Sequence, residues 1–345
     1  MYTENEIIKQ SVQPTHRTDA HLDLAFDIEK QRRCGASHIL DSDYYPSFKA
    51  GGITLVVSSI YIESTFLPEM GLRMAMRQVS ALKTDISECS DHFVFCTSYA
   101  ETVKANATGR IAIMLSFEDC LPIYDDLMLL PVFYELGVRF MGLSWSRRNF
   151  ACDGAFLTQC EHGIPGGLTA FGIELVHRCE QLGIILDVSH INDAGFSDLV
   201  KYSSGPIIAS HSNSRAIVNL ERNLSDKQIR IISSRNGFIG VNAMNFLVSN
   251  EGFYETLSAL ADHIIHIADI GGIECVGFGF DLNDKILKYV PEHELKSTSR
   301  RYFDVLDTHA AIPHLIAELE RRGLTHDELC MVAGENYMRL LRDNL

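Results

Sequence analysis

Residues 183–213, GIILDVSHINDAGFSDLVKYSSGPIIASHSN, decide the fold of this chain. Two short apolar runs, 184–188 and 206–209, each lead into Ser-His, and the segment between them has helical spacing. This pattern predicts a strand, a helix and a second strand. Because parallel strands joined by a right-handed crossover end at the same edge of a sheet, His190 and His211 should lie close together although they are 21 positions apart. Two imidazoles at one strand edge indicate a metal site.

The rest of the chain alternates short β-branched runs with longer helical patterns. The runs that predict strands are 18–24, 53–61, 111–117, 138–145, 184–188, 206–210, 238–243 and 275–280. Eight parallel strands separated by helices close a (β/α)8 TIM barrel. We therefore predict an α/β protein with one catalytic barrel domain over residues 1–345, of which residues 1–16 form an N-terminal extension. The polar segment 282–301 is either a lid or a surface excursion.

Helix start signals fall between the predicted strands. Asn192 is placed to cap the helix between the two histidine-bearing strands, and either Ser225 or Asp226 opens a later helix. Thr325 and Glu328 have the spacing of a capping box at the start of the last helix. The helices are therefore predicted to begin where an alternating barrel requires them.

The charge of the chain limits its partners. A formal net charge of -15, with an isoelectric point near 5.3, argues against nucleic acid or an anionic membrane surface as a partner. No apolar stretch follows the start, and no run approaches the roughly 20 apolar residues that span a bilayer. We expect a soluble, cytoplasmic protein. Its nine cysteines lack CxxC spacing, which is typical of scattered reduced thiols.

Histidines and carboxylates cluster at the ends of the predicted strands, where barrel enzymes hold their catalytic groups. His21 and Asp23 are two residues apart on the first strand, so both side chains should point into the barrel mouth. The other candidates are Glu118 after the third strand, His190 after the fifth, His211 after the sixth and Asp281 after the eighth. Three histidines and three carboxylates exceed the needs of one tetrahedral zinc ion and suit two ions.

Position around the barrel suggests how these groups divide their roles. Glu118 is the natural bridge between two ions, because its strand lies between the first-strand pair and the later histidines. Asp281 is then left to transfer protons. Each residue alone also has an ordinary explanation as a structural histidine, a helix cap or a solvated carboxylate. The set is informative because all six side chains fall at one edge under a single strand assignment.

Metal-binding histidines usually have their second ring nitrogen oriented by a hydrogen bond. For His190 and His211 the sequence offers Ser189, Ser210 and Asp187 as partners, and it does not choose between them.

The residues described so far belong to longer motifs. In chain order these are DAHLD at 19–23, GGLTAFGIELV at 166–176, LGIILDVSH at 182–190, PIIASHSNSRAI at 206–217, ERNLSDKQIR at 221–230, GFIGVN at 237–242 and GFGFDLND at 277–284. Together they resemble the membrane (renal) dipeptidase family of metallopeptidases over residues 18–341, and the chain is similar to its bacterial, cytoplasmic members. The resemblance implies a TIM barrel of the metallo-dependent hydrolase type.

The resemblance also implies a role for each site residue. The family's binuclear zinc site maps to five positions, with one ion on His21 and Asp23, a bridge at Glu118, and the second ion on His190 and His211. Asp281 matches the aspartate that transfers protons. Arg222 matches the arginine that binds the dipeptide carboxylate, although by itself it would be read as a solvated loop cation. Family analogy also implies a homodimer.

Two features depart from the family pattern. Trp145, the only tryptophan, is assigned to the substrate pocket and stands where the animal enzymes have a histidine that contacts the substrate carbonyl or tetrahedral intermediate. An indole N–H is a weaker, neutral donor, so the stabiliser of the developing oxyanion is open. Arg147 or Arg148 either supplies that charge or is a surface cation. The usual Glu-Gly after the third strand is Glu118-Asp119 here.

These residues support three hypotheses about function. The first is hydrolysis of dipeptides by a hydroxide that bridges two zinc ions; the family resemblance extends it to dipeptides with a C-terminal D residue. Trp145 keeps a second hypothesis open, in which the same metal site cleaves another amide or a lactone, such as an N-acyl amino acid. The third is a metal-binding protein without turnover. Other divalent ions also suit carboxylate and imidazole ligands, so the metal is not settled by the ligand types.

Overall fold

Strands and helices alternate along the chain as the sequence predicts. The computed structural model describes residues 15–156, 163–250, 256–289 and 303–345. Its strands are β1 (Thr18–Leu22), β2 (Leu55–Ile60), β3 (Phe93–Phe95), β4 (Ile111–Phe117), β5 (Val138–Gly142), β6 (Ile185–Asp187), β7 (Ile207–Ala209), β8 (Phe238–Val241) and β9 (Val276–Phe278). They form one sheet in the order β1-β2-β4-β5-β6-β7-β8-β9, and every pair is parallel. The predicted (β/α)8 TIM barrel is confirmed.

Helices cover the outside of this sheet. Those in the described part of the chain are α1 (Leu24–Arg33), α2 (Tyr45–Gly51), α3 (Gly71–Glu88), α4 (Tyr99–Ala107), α5 (Leu130–Glu135), α6 (Ala170–Leu182), α7 (Asp193–Tyr202), α8 (Asp226–Ser234), α9 (Asn245–Val248), α10 (Leu257–Gly271), α11 (Ile312–Arg321), α12 (His326–Cys330) and α13 (Asn336–Asn344). None of them has the length and apolarity that crossing a membrane requires.

The predicted start signals can be compared with the observed caps. The Asn192 side chain accepts a hydrogen bond from the Gly195 N–H at the start of α7. Ser225, rather than Asp226, caps α8 and forms a capping box with Gln228. The predicted capping box at Thr325 opens α12. The local sequence therefore specified these helix starts, because each cap satisfies backbone N–H groups that lack an intrahelical partner.

Seven of the eight predicted strands extend too far at their carboxyl ends, whereas the prediction 111–117 coincides with β4, and one strand was missed. The first was predicted to reach residue 24, whereas β1 ends at Leu22 and α1 begins at Leu24. Apolar residues continue past the ladders because the loops at this edge, such as the one at Leu143, are also buried. The missed strand, β3, has three residues and pairs only with β4, outside the barrel path, so it is too short for a periodic pattern.

Asp19 ties the two ends of the barrel together. Its Oδ1 accepts hydrogen bonds from the backbone N–H of Phe280 at 2.9 Å and of His21 at 3.2 Å, and its Oδ2 contacts His309 Nε2 at 2.7 Å. The Asp281 N–H also donates to the His21 carbonyl at 3.2 Å. Side-chain and loop hydrogen bonds thus join β1 to the end of β9, and they place His21 beside Asp281.

The segment after β9 was predicted to be a lid or a surface excursion, and only its first half is described. The Asn283 N–H donates to Asp304, and the Tyr289 hydroxyl donates to the buried carboxylate of Asp27 at 2.7 Å. Residues 282–289 are therefore anchored to the barrel. The remainder, 290–301, lies outside the described residues, as does most of the predicted N-terminal extension.

Candidate metal and substrate site

Glu118 lies at the centre of the candidate site, immediately after β4. Its Oε1 is 3.6 Å from His21 Nε2, 3.2 Å from His190 Nε2 and 3.7 Å from His211 Nε2. The two later imidazoles face each other, with 2.9 Å between their Nε2 atoms. All four side chains are buried. The strand ends thus bring together the residues that the sequence proposed, although they come from four separate parts of the chain.

The hydrogen-bonding state of these groups fits a bound cation. Ligand atoms of His21, Glu118 and His211 all lie within 4.8 Å of one another. Two of the buried atoms there, His21 Nε2 and Glu118 Oε2, have no hydrogen-bond partner among the described residues. An unpaired buried polar atom is costly, and a divalent metal ion would use both lone pairs. The donor set therefore fits a metal centre, while the division of the ligands between two ions stays a prediction.

The protonation states of the side chains in this cluster also favour a bound cation. Asp23 follows β1 and accepts a hydrogen bond from Ser59 at the end of β2. Burial raises the pKa of both Asp23 and Glu118 above their ordinary values, and repulsion by Glu118 raises that of Asp23 further. Burial also lowers the pKa of His190 and His211 well below the ordinary value, so both imidazoles are neutral and able to ligate. Carboxylates that repel each other beside neutral imidazoles are stabilised by a cation.

Serine hydroxyls lie beside the Nδ1 atoms of all three histidines, and that of His21 is 3.3 Å from Ser210 Oγ. Ser210 Oγ lies 2.7 Å from His211 Nδ1 and donates a hydrogen bond to the Asp187 carboxylate. Two of the three proposed partners, Ser210 and Asp187, therefore form one hydrogen-bond relay to His211. His190 Nδ1 instead contacts Ser146 Oγ at 2.9 Å. Sequence reasoning missed Ser146 because it follows a different strand, β5, and no local spacing connects it to His190.

Backbone geometry directs several of these groups into the barrel mouth. His190 and Asp281 have φ values of 70° and 55°, in the left-handed region that side chains other than glycine rarely occupy. Such strain persists at functional sites when the surroundings over-determine it. Gly240 and Gly279 lie against the Ser210 carbonyl, where a Cβ on either would overlap it. Their small size lets β8 and the end of β9 approach the residue that precedes His211.

Asp281 and Arg222 flank the metal cluster. Asp281 Oδ2 accepts a hydrogen bond from Asn242 Nδ2 at 3.0 Å. Burial raises the pKa of the Asp281 carboxyl well above its ordinary value. The buried Arg222 guanidinium donates to Ser212 Oγ at 2.7 Å and to the His211 carbonyl at 2.9 Å, while its Nε has no partner in the part of the chain that the structure describes. Burial lowers the pKa of Arg222 to about 10, so it stays cationic at neutral pH.

The residues that depart from the family pattern hold the loop after β5. Trp145 stacks on the His190 ring, with centroids 5.7 Å apart and planes 29° apart. Arg147 Nε donates to Asp119 Oδ2 at 2.7 Å, so the Asp that replaces the family glycine binds this loop. Arg148 is an exposed cation paired with Asp153. Both arginines are therefore engaged by carboxylates, which does not favour either as the source of charge at the substrate.

A cavity of about 680 Å³ opens above these groups. Its polar lining includes Asp23, Glu118, His190, Arg222, Asn242 and Asp281. Its largest apolar and aromatic side chains are Phe26, Tyr61, Trp145, Phe246 and Tyr289. A cavity of this size, with one fixed cation and several carboxylates, has room for a small polar substrate.

Comparison with known families gives one match over nearly the whole chain. The family described as membrane dipeptidase (peptidase family M19) matches residues 6–344. Dipeptidase tcpJ of Claviceps purpurea is 23% identical over 293 residues, which are 83% of this chain and 65% of that protein. Dipeptidase verJ of Clonostachys rogersoniana is 27% identical over 270 residues, with 78% and 65% covered. The chain thus spans about two thirds of the length of these curated relatives.

Solved structures share the fold. A metallopeptidase from Rhodobacter sphaeroides, bound to a phosphinate mimic of the dipeptide L-Ala-D-Ala, superimposes with a TM-score of 0.82 at 23% identity and covers 96% of this chain and 100% of its own. Dipeptidase AC, a metallopeptidase of family M19, superimposes with a TM-score of 0.83 at 24% identity, with 96% and 99% covered. At this identity the likeness supports the barrel architecture alone.

Ser146 provides a test of the metal centre. Replacing Ser146 with Ala removes the hydroxyl that orients His190 Nδ1, so the affinity for one divalent ion should fall about 10- to 100-fold, the usual effect of losing such a partner. Competition with a chelating dye measures this affinity. Ser144→Ala is the control, because that buried serine contacts no site histidine. Equal affinities of the two variants would contradict the assignment.

Proposed function

This chain belongs to the membrane dipeptidase family, peptidase family M19, and from that premise we propose that it hydrolyses dipeptides with two bound divalent metal ions, preferably zinc. The observation that carries the proposal is the contact of three imidazoles with one Glu118 oxygen on the floor of a cavity that also holds Arg222. His21, Asp23, Glu118, His190 and His211 would hold the ions. When bound, such ions polarise the scissile carbonyl and lower the pKa of water toward neutrality.

Arg222 would make the site prefer dipeptides, because it would bind the substrate's terminal carboxylate. Its guanidinium is fixed by Ser212 and the His211 carbonyl, and none of the residues in the described ranges accepts a hydrogen bond from its Nε. A substrate carboxylate bound there forms a charge-assisted hydrogen bond. Because Arg222 and the imidazole of His211 are joined through this carbonyl, the carboxylate lies at a set distance from the reacting carbonyl. A longer peptide would place an uncharged amide at that position.

Asp281 performs the proton transfer in this proposal. Its carboxylate takes a proton from the attacking water and gives it to the leaving amine nitrogen. The hydrogen bond from Asn242 and the left-handed backbone at Asp281 hold the carboxylate over the cavity floor. Burial favours the protonated form between the two transfers, since it disfavours a charged carboxylate.

Two finer features extend the proposal. We include dipeptides with a C-terminal D residue among the substrates, because the Rhodobacter sphaeroides metallopeptidase of the same fold binds a mimic of L-Ala-D-Ala. A single catalytic domain stays a prediction of the sequence, and a homodimer stays an expectation from family analogy.

A substrate panel on one preparation tests the proposed function. The protein as purified should contain about two divalent ions per chain and should cleave L,L and L,D dipeptides. Chelation should abolish turnover, and added zinc should restore it. Full activity in a verified metal-free preparation would contradict the mechanism. Cleavage of N-acyl amino acids or lactones in place of dipeptides would support the second hydrolase hypothesis, which Trp145 keeps open.

Asp281→Asn tests the proton transfer. The amide retains the size of the side chain and its contact with Asn242 but cannot accept the proton, so kcat should fall about 100- to 10,000-fold with the metal content unchanged. Steady-state kinetics and elemental analysis on the same sample measure both quantities. An unchanged kcat would remove Asp281 from the chemistry.

Arg222→Ala tests carboxylate binding. Losing a charge-assisted hydrogen bond of about 1.5–3 kcal/mol should raise KM for dipeptides roughly 10- to 150-fold. A dipeptide amide, which has no carboxylate, serves as the matched substrate. The wild type should discriminate strongly between acid and amide, and the variant should not. Equal discrimination by both proteins would mean that the carboxylate binds elsewhere.

A further inference from the structure

The donor that stabilises the oxyanion is the part of this site that the sequence leaves open. Trp145 stands where the animal enzymes have a histidine, and Arg147 and Arg148 are both engaged by carboxylates. Hydrolysis of an amide nevertheless places negative charge on the carbonyl oxygen in the transition state. A preorganised hydrogen-bond donor at that oxygen increases kcat by a large factor. A protein donor that would act beside the bound ions is therefore sought among the other side chains of the cavity.

Tyr61 is located beside the metal cluster, one residue after β2. The strand order places β2 between β1, which leads to His21 and Asp23, and β4, which leads to Glu118. Side chains alternate along a strand, and Ser59 points into the barrel, where it binds Asp23. Tyr61, two residues further on, is therefore directed to the same side, and it lines the cavity together with Asp23 and Glu118.

The Tyr61 ring is held by packing on three sides. Phe26 contacts it edge-on with centroids 5.7 Å apart, and Trp145 contacts it at 5.6 Å. The Arg147 guanidinium lies 6.0 Å from the ring centroid. A side chain fixed in this way loses little further freedom when substrate binds, which is the condition for a preorganised donor.

The Tyr61 hydroxyl is also uncommitted. Tyr44 and Tyr289 both donate their hydroxyls to Asp27 at 2.7 Å. The Tyr61 hydroxyl, in contrast, has no hydrogen bond within the described ranges of the chain. A polar group that is held in the wall of a cavity without a protein partner is available to a ligand.

We propose that Tyr61 donates a hydrogen bond from its hydroxyl to the carbonyl oxygen of the scissile amide and supports the charge that develops there, in place of the histidine of the animal enzymes. This inference rests on the proposed function. It makes Tyr61 a catalytic residue of this chain, and Trp145 a residue that packs between Tyr61 and His190.

The reaction balances without a change in Tyr61. The water oxygen bonds to the carbonyl carbon and loses a proton to Asp281, and the carbonyl π electrons move to oxygen. When the carbonyl re-forms, the C–N bond breaks and the nitrogen receives the proton from Asp281. Tyr61 keeps its own proton throughout, so the hydrogen bond strengthens and weakens with the charge on the oxygen.

Trp145 is the competing donor, and two observations favour Tyr61. The indole lies in contact with His190 on one side and Tyr61 on the other, which gives it a packing role. A phenol O–H is also the more acidic donor, since its ordinary pKa is near 10, whereas an indole N–H does not titrate in proteins. Burial, together with Glu118, raises the pKa of Tyr61, so its hydroxyl stays protonated at neutral pH.

Tyr61→Phe on the metal-loaded enzyme tests the proposal. Removal of one oxyanion donor costs about 100- to 1,000-fold in kcat, and KM should change by less than about threefold because the donor acts mainly in the transition state. The metal content should equal that of the wild type. The phosphinate mimic of L-Ala-D-Ala, a tetrahedral anion, serves as a binding probe. Its Kd, measured by calorimetry, should rise by a factor similar to the loss in kcat/KM.

Two further variants keep the test specific. Trp145→Phe removes the indole N–H but keeps an aromatic ring over His190, so it should lose much less activity than Tyr61→Phe. Tyr289→Phe removes the same atom from another tyrosine of the cavity, whose hydroxyl is bound to Asp27, and should also show the smaller loss. These comparisons separate the lost donor from general damage to the cavity.

The outcomes divide as follows. A kcat for Tyr61→Phe within about threefold of the wild type, an unchanged phosphinate Kd, or the larger loss in Trp145→Phe would each overturn the assignment of Tyr61. In those cases the wild type still cleaves dipeptides, and the proposed function stands. A wild type that contains metal but cleaves no dipeptide would overturn the proposed function and this inference with it.

Discussion

The burial of Glu118 among three imidazoles is the constraint on which the rest of the site depends. A carboxylate removed from water is costly unless charge or hydrogen bonds compensate it, and one Glu118 oxygen has no hydrogen-bond partner within the described segments of the chain. The neighbouring residues are arranged around that requirement. Serines 146 and 210 hold the ring nitrogens that face away from Glu118, so the Nε2 atoms of His190 and His211 point toward it. The cluster therefore fits a bound cation, and its buried side chains form the rigid floor of the cavity.

Two ionisable groups of opposite character, Arg222 and Asp281, flank the metal cluster. Arg222 is a permanent cation tied to the backbone next to His211, whereas Asp281 is a carboxylate whose pKa burial has raised. The first suits an anchor for a substrate carboxylate and the second suits a group that gains and loses a proton. Tyr61 and Trp145 add an aromatic wall above Glu118, where the family pattern has an imidazole.

The strand-end residues could be predicted because their signals are local. Apolar runs that end in Ser-His, DAHLD or GFGFD mark both the strand and the side chain beyond it, and the topology of parallel barrels brings those ends together. Ser146, Asp19 and Tyr61 could not be identified in the same way. Ser146 contacts a histidine 44 positions later in the chain, and Asp19 binds His309 from 290 positions away. Such pairings have no periodicity, so no window of sequence contains both partners.

The sequence by itself determined the barrel, the caps of several helices and the residues that gather at its mouth, because each of these follows from the order of residues along a strand or the first turn of a helix. The tertiary structure alone decided how the barrel closes through Asp19, which serines orient the histidines, and which aromatic side chains line the cavity. These depend on how neighbouring strands are staggered and where their loops pack. Contacts between distant segments are fixed by the whole packed core, which no short stretch of sequence encodes.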